Sequence, residues 1–196
     1  MTIILIALIL CIIGLDQLTK WLTVVYMTEG QSIPIWQDVL HLTFYKNPGA
    51  AFGILDEPGQ RWIFLVFSSV AIVGLLVYLF FFRPKNRFMQ LTLAMIVGGG
   101  IGNMIDRIYL GYVIDFIDVE LINFAIFNVA DSFVTVGAFL LIGYLIWDMI
   151  REMKVEKAAK AAQTEVKAET APVEAPTEET SAETANTEEE TNYESN

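Results

Sequence analysis

Long apolar runs separated by short polar breaks organise most of the chain. Ile3 to Leu15 is unbroken apolar sequence, Asp16, Gln17, Thr19 and Lys20 follow, and apolar character resumes as far as Tyr26. Trp62 to Phe82 is almost wholly apolar and ends at Arg83, Lys85 and Arg87. A third run covers Phe88 to Ile105, and a fourth begins near Phe124 and ends near Ile150. A bilayer core about 30 Å thick needs about 20 mainly apolar residues per helix, so the pattern predicts four membrane-spanning helices. Met27 to Arg61 is too polar and too interrupted to span. Within it, Ile33, Ile35, Val39, Leu40, Leu42 and Phe44 alternate in part with polar residues, which predicts short strands between Ser32 and Tyr45. Val113 to Val119 reads as a further, interfacial strand. Trp21, Trp62 and Trp147, with Tyr26, Tyr109, Tyr112 and Tyr144, fall near the predicted span ends, where interfacial aromatics collect.

Composition agrees with this pattern. The 196 residues are 55% hydrophobic and only 18% charged, with mean hydropathy +0.51, whereas a soluble domain carries fewer apolar residues and about 25% charged ones. One polytopic membrane domain is expected over residues 1–154, followed by a tail over residues 155–196. The net charge of -11 belongs mostly to that tail, where nine glutamates and no Lys or Arg follow Ala168. Its Thr, Ala, Glu and Pro residues bury too little apolar surface to offset the entropy of ordering, so the tail is expected to be disordered and dispensable for chemistry. Cys11, the single cysteine, excludes an intrachain disulfide and a cysteine-based metal site; it is expected as a small buried hydrophobe. The N-terminus lacks the basic region of a cleaved signal peptide, which predicts a retained first span. His41 is the sole histidine and has no companion at ligand spacing, so no metal or other cofactor is expected, and no nucleic-acid partner.

Basic residues orient the spans. Eight of the twelve Lys and Arg residues lie between spans two and three or after span four. With four spans these regions share a side, and the positive-inside rule makes it the cytoplasm. Both termini are then cytoplasmic. Asp16, Lys20, Asn47, Asp106, Arg107, Asp115, Asn128 and Asp131 gather near the outer membrane surface. Ionisable side chains in membrane segments are costly and by default mark function. Asp16 and Lys20, four apart with the acid first, form a helix pair. Gly98, Gly99, Gly100 and Gly102 make a close-packing patch, with Gly98 and Gly102 at small-xxx-small spacing. Arg107 is expected to pair with Asp106 or another carboxylate. Asp118 and Glu120 read as solvated edge charges, and Asp148 as a surface partner of Arg151.

Two acids in one partly dry site cannot both ionise easily and come to share a proton. The ionised member can then draw a proton from water while the other polarises a carbonyl oxygen. Asp115 and Asp131 could form such a pair, hydrolysing a peptide bond without metal, Ser or Cys. The alternative is a proton-coupled membrane transporter or channel, because buried acids also relay protons. Clustering of the acids at one face and the lack of an inverted repeat count against it. A non-enzymatic membrane scaffold is a third class.

Five motifs in order carry a resemblance to a known family. They are Asp16-Gln17-Leu18-Thr19-Lys20, Asn47-Pro48-Gly49-Ala50-Ala51-Phe52, Gly102-Asn103-Met104-Ile105-Asp106-Arg107, Asp115, and Phe127-Asn128-Val129-Ala130-Asp131. Together, over Met1 to Lys154, they resemble the lipoprotein signal peptidases (signal peptidase II) of bacteria. The resemblance implies a four-helix bundle with a small extracytoplasmic β-cradle in the bacterial cytoplasmic membrane. It implies an aspartic endopeptidase with Asp115 and Asp131 catalytic. Asp16, Lys20, Asn47, Gly49, Asn103, Arg107, Asn128 and Ala130 would match the supporting positions, with Asp106 beside them. The implied substrates are prolipoproteins carrying diacylglycerol on a cysteine, cut just before that residue in contact with membrane lipids. Inhibition by globomycin-type cyclic peptides is implied as well, and a monomer is expected.

Overall fold

The computed structural model describes residues 1–49 and 61–169. Its elements are α1 (Thr2–Tyr26), β1 (Ser32–Trp36), β2 (Leu40–Asn47), α2 (Arg61–Val77) with a π-helical turn at Tyr78–Phe82, α3 (Arg87–Tyr109), β3 (Val113–Asp118), a 3-10 turn at Glu120–Ile122, and α4 (Val129–Glu169). Among the described residues, four helices are long and apolar enough to cross a membrane. The chain is thus an α-helical membrane protein with four such helices and a small three-stranded sheet. The end of the Asn47 to Phe52 motif, from Ala50, and the tail from Thr170 lie outside the described residues.

Local chemistry ends these helices. Arg83 takes a left-handed φ of 50° and its N–H closes the π turn on the Tyr78 carbonyl, and Pro84 then prevents helical continuation. The Asn86 side chain caps α3 by accepting from the Phe88 and Met89 N–H groups at 2.8 and 3.1 Å. The fourth helix differs from expectation at both ends. It starts at Val129 rather than near Phe124, because the Phe127 backbone pairs with Ile117 in both directions (2.8 and 3.0 Å) and is taken by the sheet. It also runs past Ile150 to Glu169, where Ala, Lys and Glu favour helix after apolar character has ended. The chain divides into two units, Met1–Arg151 and Glu152–Asn196, three residues before the boundary expected from composition. Within the second, Lys160 pairs with Glu156 at 2.6 Å.

Helix α3 is the centre of the bundle: 44% of its most apolar window is buried, against 22% for α1 and 11% for the Leu65–Phe82 span. Leu5 and Ile9 of α1, Leu79 of the π turn, and Leu93, Ala94 and Val97 of α3 form the buried core. On α1 the buried positions Leu5, Ile9, Ile12, Asp16, Lys20 and Thr23 recur at helical spacing and define one inward face. Cys11 falls off that face and is exposed, contrary to the expectation of burial. The glycines of α3 each meet a neighbour. A Cβ on Gly98 would press on Ile12, on Gly100 on Ile72, on Gly99 on the Ala130 carbonyl, and on Gly102 on the Asp16 carboxylate. Tight packing therefore continues from apolar side chains into the polar end of the bundle.

The sheet has order β1-β2-β3 and is antiparallel throughout. Tyr45 faces Asp115 and Asn47 faces Val113, while a register shift between Leu42 and Tyr45 adds a residue to β2. The edge acids are less isolated than expected. Asp118 accepts from the Thr43 hydroxyl at 2.7 Å, and Glu120 lies 2.7 Å from His41 Nδ1. Arg151 stacks over the Trp147 ring at 5.6 Å, and no ion pair joins it to Asp148 among the described residues.

Candidate active site

Asp115 lies on β3 and is 1% exposed. Two amides hold its carboxylate: Asn47 Nδ2 donates to Oδ2 at 2.8 Å and Asn128 Nδ2 donates to Oδ1 at 2.7 Å. Asn47 is itself oriented, because its Oδ1 accepts from the Gly49 N–H at 3.0 Å. Gly49 has φ of 125°, a conformation in which a side chain would be strained. Burial pushes the Asp115 carboxyl up from 3.8 to about 6. The Asp131 charge pushes the same way, while the two amides and Lys20 oppose it.

Asp131 sits in the first turn of α4 and is half-buried. Asn128 is the residue ahead of that helix, and the two share a reciprocal cap. The Asp131 N–H donates to Asn128 Oδ1 at 2.9 Å, and the Asn128 N–H donates to Asp131 Oδ2 at 3.2 Å. Asn103 Nδ2 donates to the other carboxylate oxygen at 2.7 Å. Asn128 therefore touches both acids. Its Nδ2 also reaches Asn103 Oδ1 at 3.0 Å, which closes a ring of amides around the pair.

Behind the ring lies a buried ionic knot. Lys20 Nζ contacts Asp16 Oδ2, Asp106 Oδ2 and Asn103 Oδ1, each at 2.9 Å, and Asp16, Lys20 and Asp106 are all at most 2% exposed. An isolated charge there would be very costly, so one cation shared by two acids and an amide is the arrangement that burial permits. Asp16 Oδ1 accepts from the Ala130 N–H at 3.0 Å, and Asp106 Oδ2 accepts from the Ile114 N–H at 3.1 Å.

Asp16, Lys20, Asn47, Gly49, Asn103, Asp106, Asn128 and Ala130 thus join Asp115 and Asp131 in one connected cluster. Arg107 differs from expectation. It makes no ion pair with Asp106, whose partner is Lys20, and its Nε is buried without a hydrogen-bond partner among the described residues. Arg107 lies one residue further round α3, within electrostatic reach of Asp131, Asp115 and Asp106. Gln17 belongs to the knot although the sequence reading assigned it no role: its amide donates to Asp106 Oδ1 at 2.9 Å. Its position beside Asp16 in a span was the signal available. Among the described residues no group of three or more His, Cys, Asp or Glu is placed to hold a metal ion.

Comparison with known proteins gives a consistent result. Residues 8–147 match the family model described as "Signal peptidase (SPase) II". The chain is similar to the lipoprotein signal peptidase of Halalkalibacterium halodurans, 46% identical over 155 residues, covering 78% of this chain and 96% of that protein. It is also similar to that of Bacillus subtilis, 42% identical over 147 residues, covering 74% and 94%. Among solved structures it is similar to a bacterial membrane enzyme determined by the in meso method at 2.3 Å resolution. That likeness has a TM-score of 0.67 and 33% identity over 74% of this chain and 88% of the other. Four apolar helices, a small sheet, a knot of buried acids between them and a family match across most of that unit agree: the chain belongs to the signal peptidase II family and is a membrane protease.

Proposed function

We propose that this chain is an aspartic endopeptidase that removes the signal peptide from diacylglyceryl-modified prolipoproteins, cutting N-terminal to the lipidated cysteine. Asp115 and Asp131 are the catalytic pair. One observation carries this reading: Asn128 holds an oxygen of Asp115 with its side-chain amide and caps Asp131 with its backbone and carbonyl. A single residue fixes both acids, as a reaction needing them together requires.

Asp115, the acid pushed up by burial, carries the shared proton and donates to the scissile carbonyl oxygen. Asp131 is the less buried acid and takes a proton from the attacking water. Water adds to the carbonyl carbon as Asp131 accepts that proton, and Asp115 supplies its own to the oxygen. The C–N bond then breaks, with the proton on Asp131 passing to the leaving amine and Asp115 taking its proton back from a hydroxyl of the gem-diol. Arg107, lacking an ion-pair partner among the described residues, stabilises the negative charge that accumulates.

Under the same proposal the site lies at the outer face of the bacterial cytoplasmic membrane and both termini are cytoplasmic. Acyl chains then remain in lipid while the peptide reaches the pair. The test is a gel-shift assay on a lipid-modified precursor. Asp115→Asn and Asp131→Asn should each abolish cleavage while the protein still inserts, and globomycin-type peptides should inhibit the wild type. Cleavage surviving either substitution refutes the assignment.

A further inference from the structure

The two acids of the knot act at equivalent places. Asp106 holds the N–H of Ile114, the residue ahead of Asp115, and Asp16 holds the N–H of Ala130, the residue ahead of Asp131. Whatever sets the position of these carboxylates therefore sets where β3 and α4 deliver the pair. Lys20 contacts both at 2.9 Å, but an ammonium is a compact charge with rotatable donors and leaves the carboxylate planes undefined. A planar amide is different. Gln17 Nε2 donates to Asp106 Oδ1 at 2.9 Å, to the Gly102 carbonyl at 3.2 Å and to Asp16 Oδ2 at 3.3 Å.

We propose that Gln17 is a positioning residue for the peptidase site, locking the two buried acids that hold the backbone one residue ahead of Asp115 and of Asp131. The inference rests on the catalytic pair proposed above. Gln17 donates to neither Asp115 nor Asp131 among the described residues, so its effect is indirect. Asp106 shows the mechanism most directly. Its Oδ2 serves Lys20 and Ile114, and Gln17 is the one hydrogen-bond donor to Oδ1 among the described residues. Without that donor the carboxylate can rotate and the Ile114 N–H loses a fixed acceptor. The start of β3 then moves, and Asp115 slips away from Asn47 and Asn128. The fold has other supports, since the Lys20 pairs and the helix packing stay in place.

The experiment measures steady-state cleavage of a lipid-modified precursor by the full chain across pH. Gln17→Leu keeps the shape and removes the donor. Its kcat should fall by about 10- to 100-fold, the scale of a displacement near 1 Å, with KM unchanged within about twofold. The high-pH limb of the rate profile should move up, because both amides that favour the ionised Asp115 are loosened. Gln17→Glu supplies the conservative control. When protonated it donates once to Asp106, and when ionised it cannot. Its rate relative to wild type should therefore recover as pH falls, whereas that of Gln17→Leu should not. Wild-type kcat in Gln17→Leu overturns the proposal, and so does a loss that Gln17→Glu fails to recover at low pH, which marks a folding role. An intact precursor after incubation with the wild type would overturn the underlying catalytic reading instead.

Discussion

Amide groups hold both carboxylates of the proposed pair, and this determines how each residue can be tested. Asn47 and Asn128 favour the ionised form of Asp115 while burial opposes it. Removing one donor by Asn47→Leu should raise the Asp115 pKa above about 6. The high-pH limb of kcat/KM should shift upward, read from initial rates between pH 5 and 9. Asp115 also has a stability consequence whose sign is set by linkage. Its folded pKa, about 6, lies above the ordinary aspartate value of 3.8. Between these values the folded protein binds more protons than the unfolded one, so stability falls as pH rises through that window. The loss, complete above about pH 6, is of order 3 kcal/mol at about 1.4 kcal/mol per unit. Asp115→Asn removes the titrating group, so its melting temperature should fall less than that of wild type between pH 4 and pH 7.5, while cleavage is lost. Thermal unfolding in detergent at both pH values checks it.

At the scale of elements, α1, α3 and the start of α4 are brought together by contacts that require small residues. The start of α4 is fixed from three directions: Asn128 and Asp131 cap each other, Asp16 grips the Ala130 N–H, and Gly99 admits the Ala130 carbonyl. A Cβ on Gly102 would stand 2.6 Å from Asp16 Oδ2, a distance no real Cβ tolerates. Gly102→Ala should push α1 from α3, costing about 1–3 kcal/mol and at least tenfold in cleavage rate. Gly14→Ala, with nothing within 4 Å, should instead be neutral or stabilising by up to about 1 kcal/mol. Paired melting and activity measurements separate the two. The glycine patch was legible as a packing surface from its spacing. That one glycine faces a carboxylate was not, because small-xxx-small spacing says nothing about the partner. The start of α4 was likewise misplaced by the apolar residues Phe124 and Phe127, since hydropathy cannot tell a sheet residue from a helical one.

Over the whole molecule, the asymmetry of basic residues predicts a topology that single cysteines can test. With Cys11 first replaced by Ser, a cysteine at Gln37, exposed between β1 and β2, should react with an impermeant maleimide added outside intact cells. One at Lys85 should react only after permeabilisation. The reverse pattern would move the proposed site to the cytoplasmic face and remove its access to exported precursors. Deleting residues 170–196 should leave cleavage at the wild-type rate, since the contacts of the site among the described residues all come from within Met1–Arg151.

Hydropathy alone determined the four spans and the two strand regions, because a bilayer constrains length and polarity so severely that a linear pattern suffices. The costly polar residues inside those spans were also legible as candidates for function, on the same energetic ground. The partners were decided only in three dimensions. Asp106 chose Lys20 over its neighbour Arg107, Asn128 came to hold both acids, and Gln17 joined the knot. Each of these bonds joins residues on different elements or turns on the rotation of a helix about its axis. That angle is set by packing around the α3 glycines, which no one-dimensional pattern records.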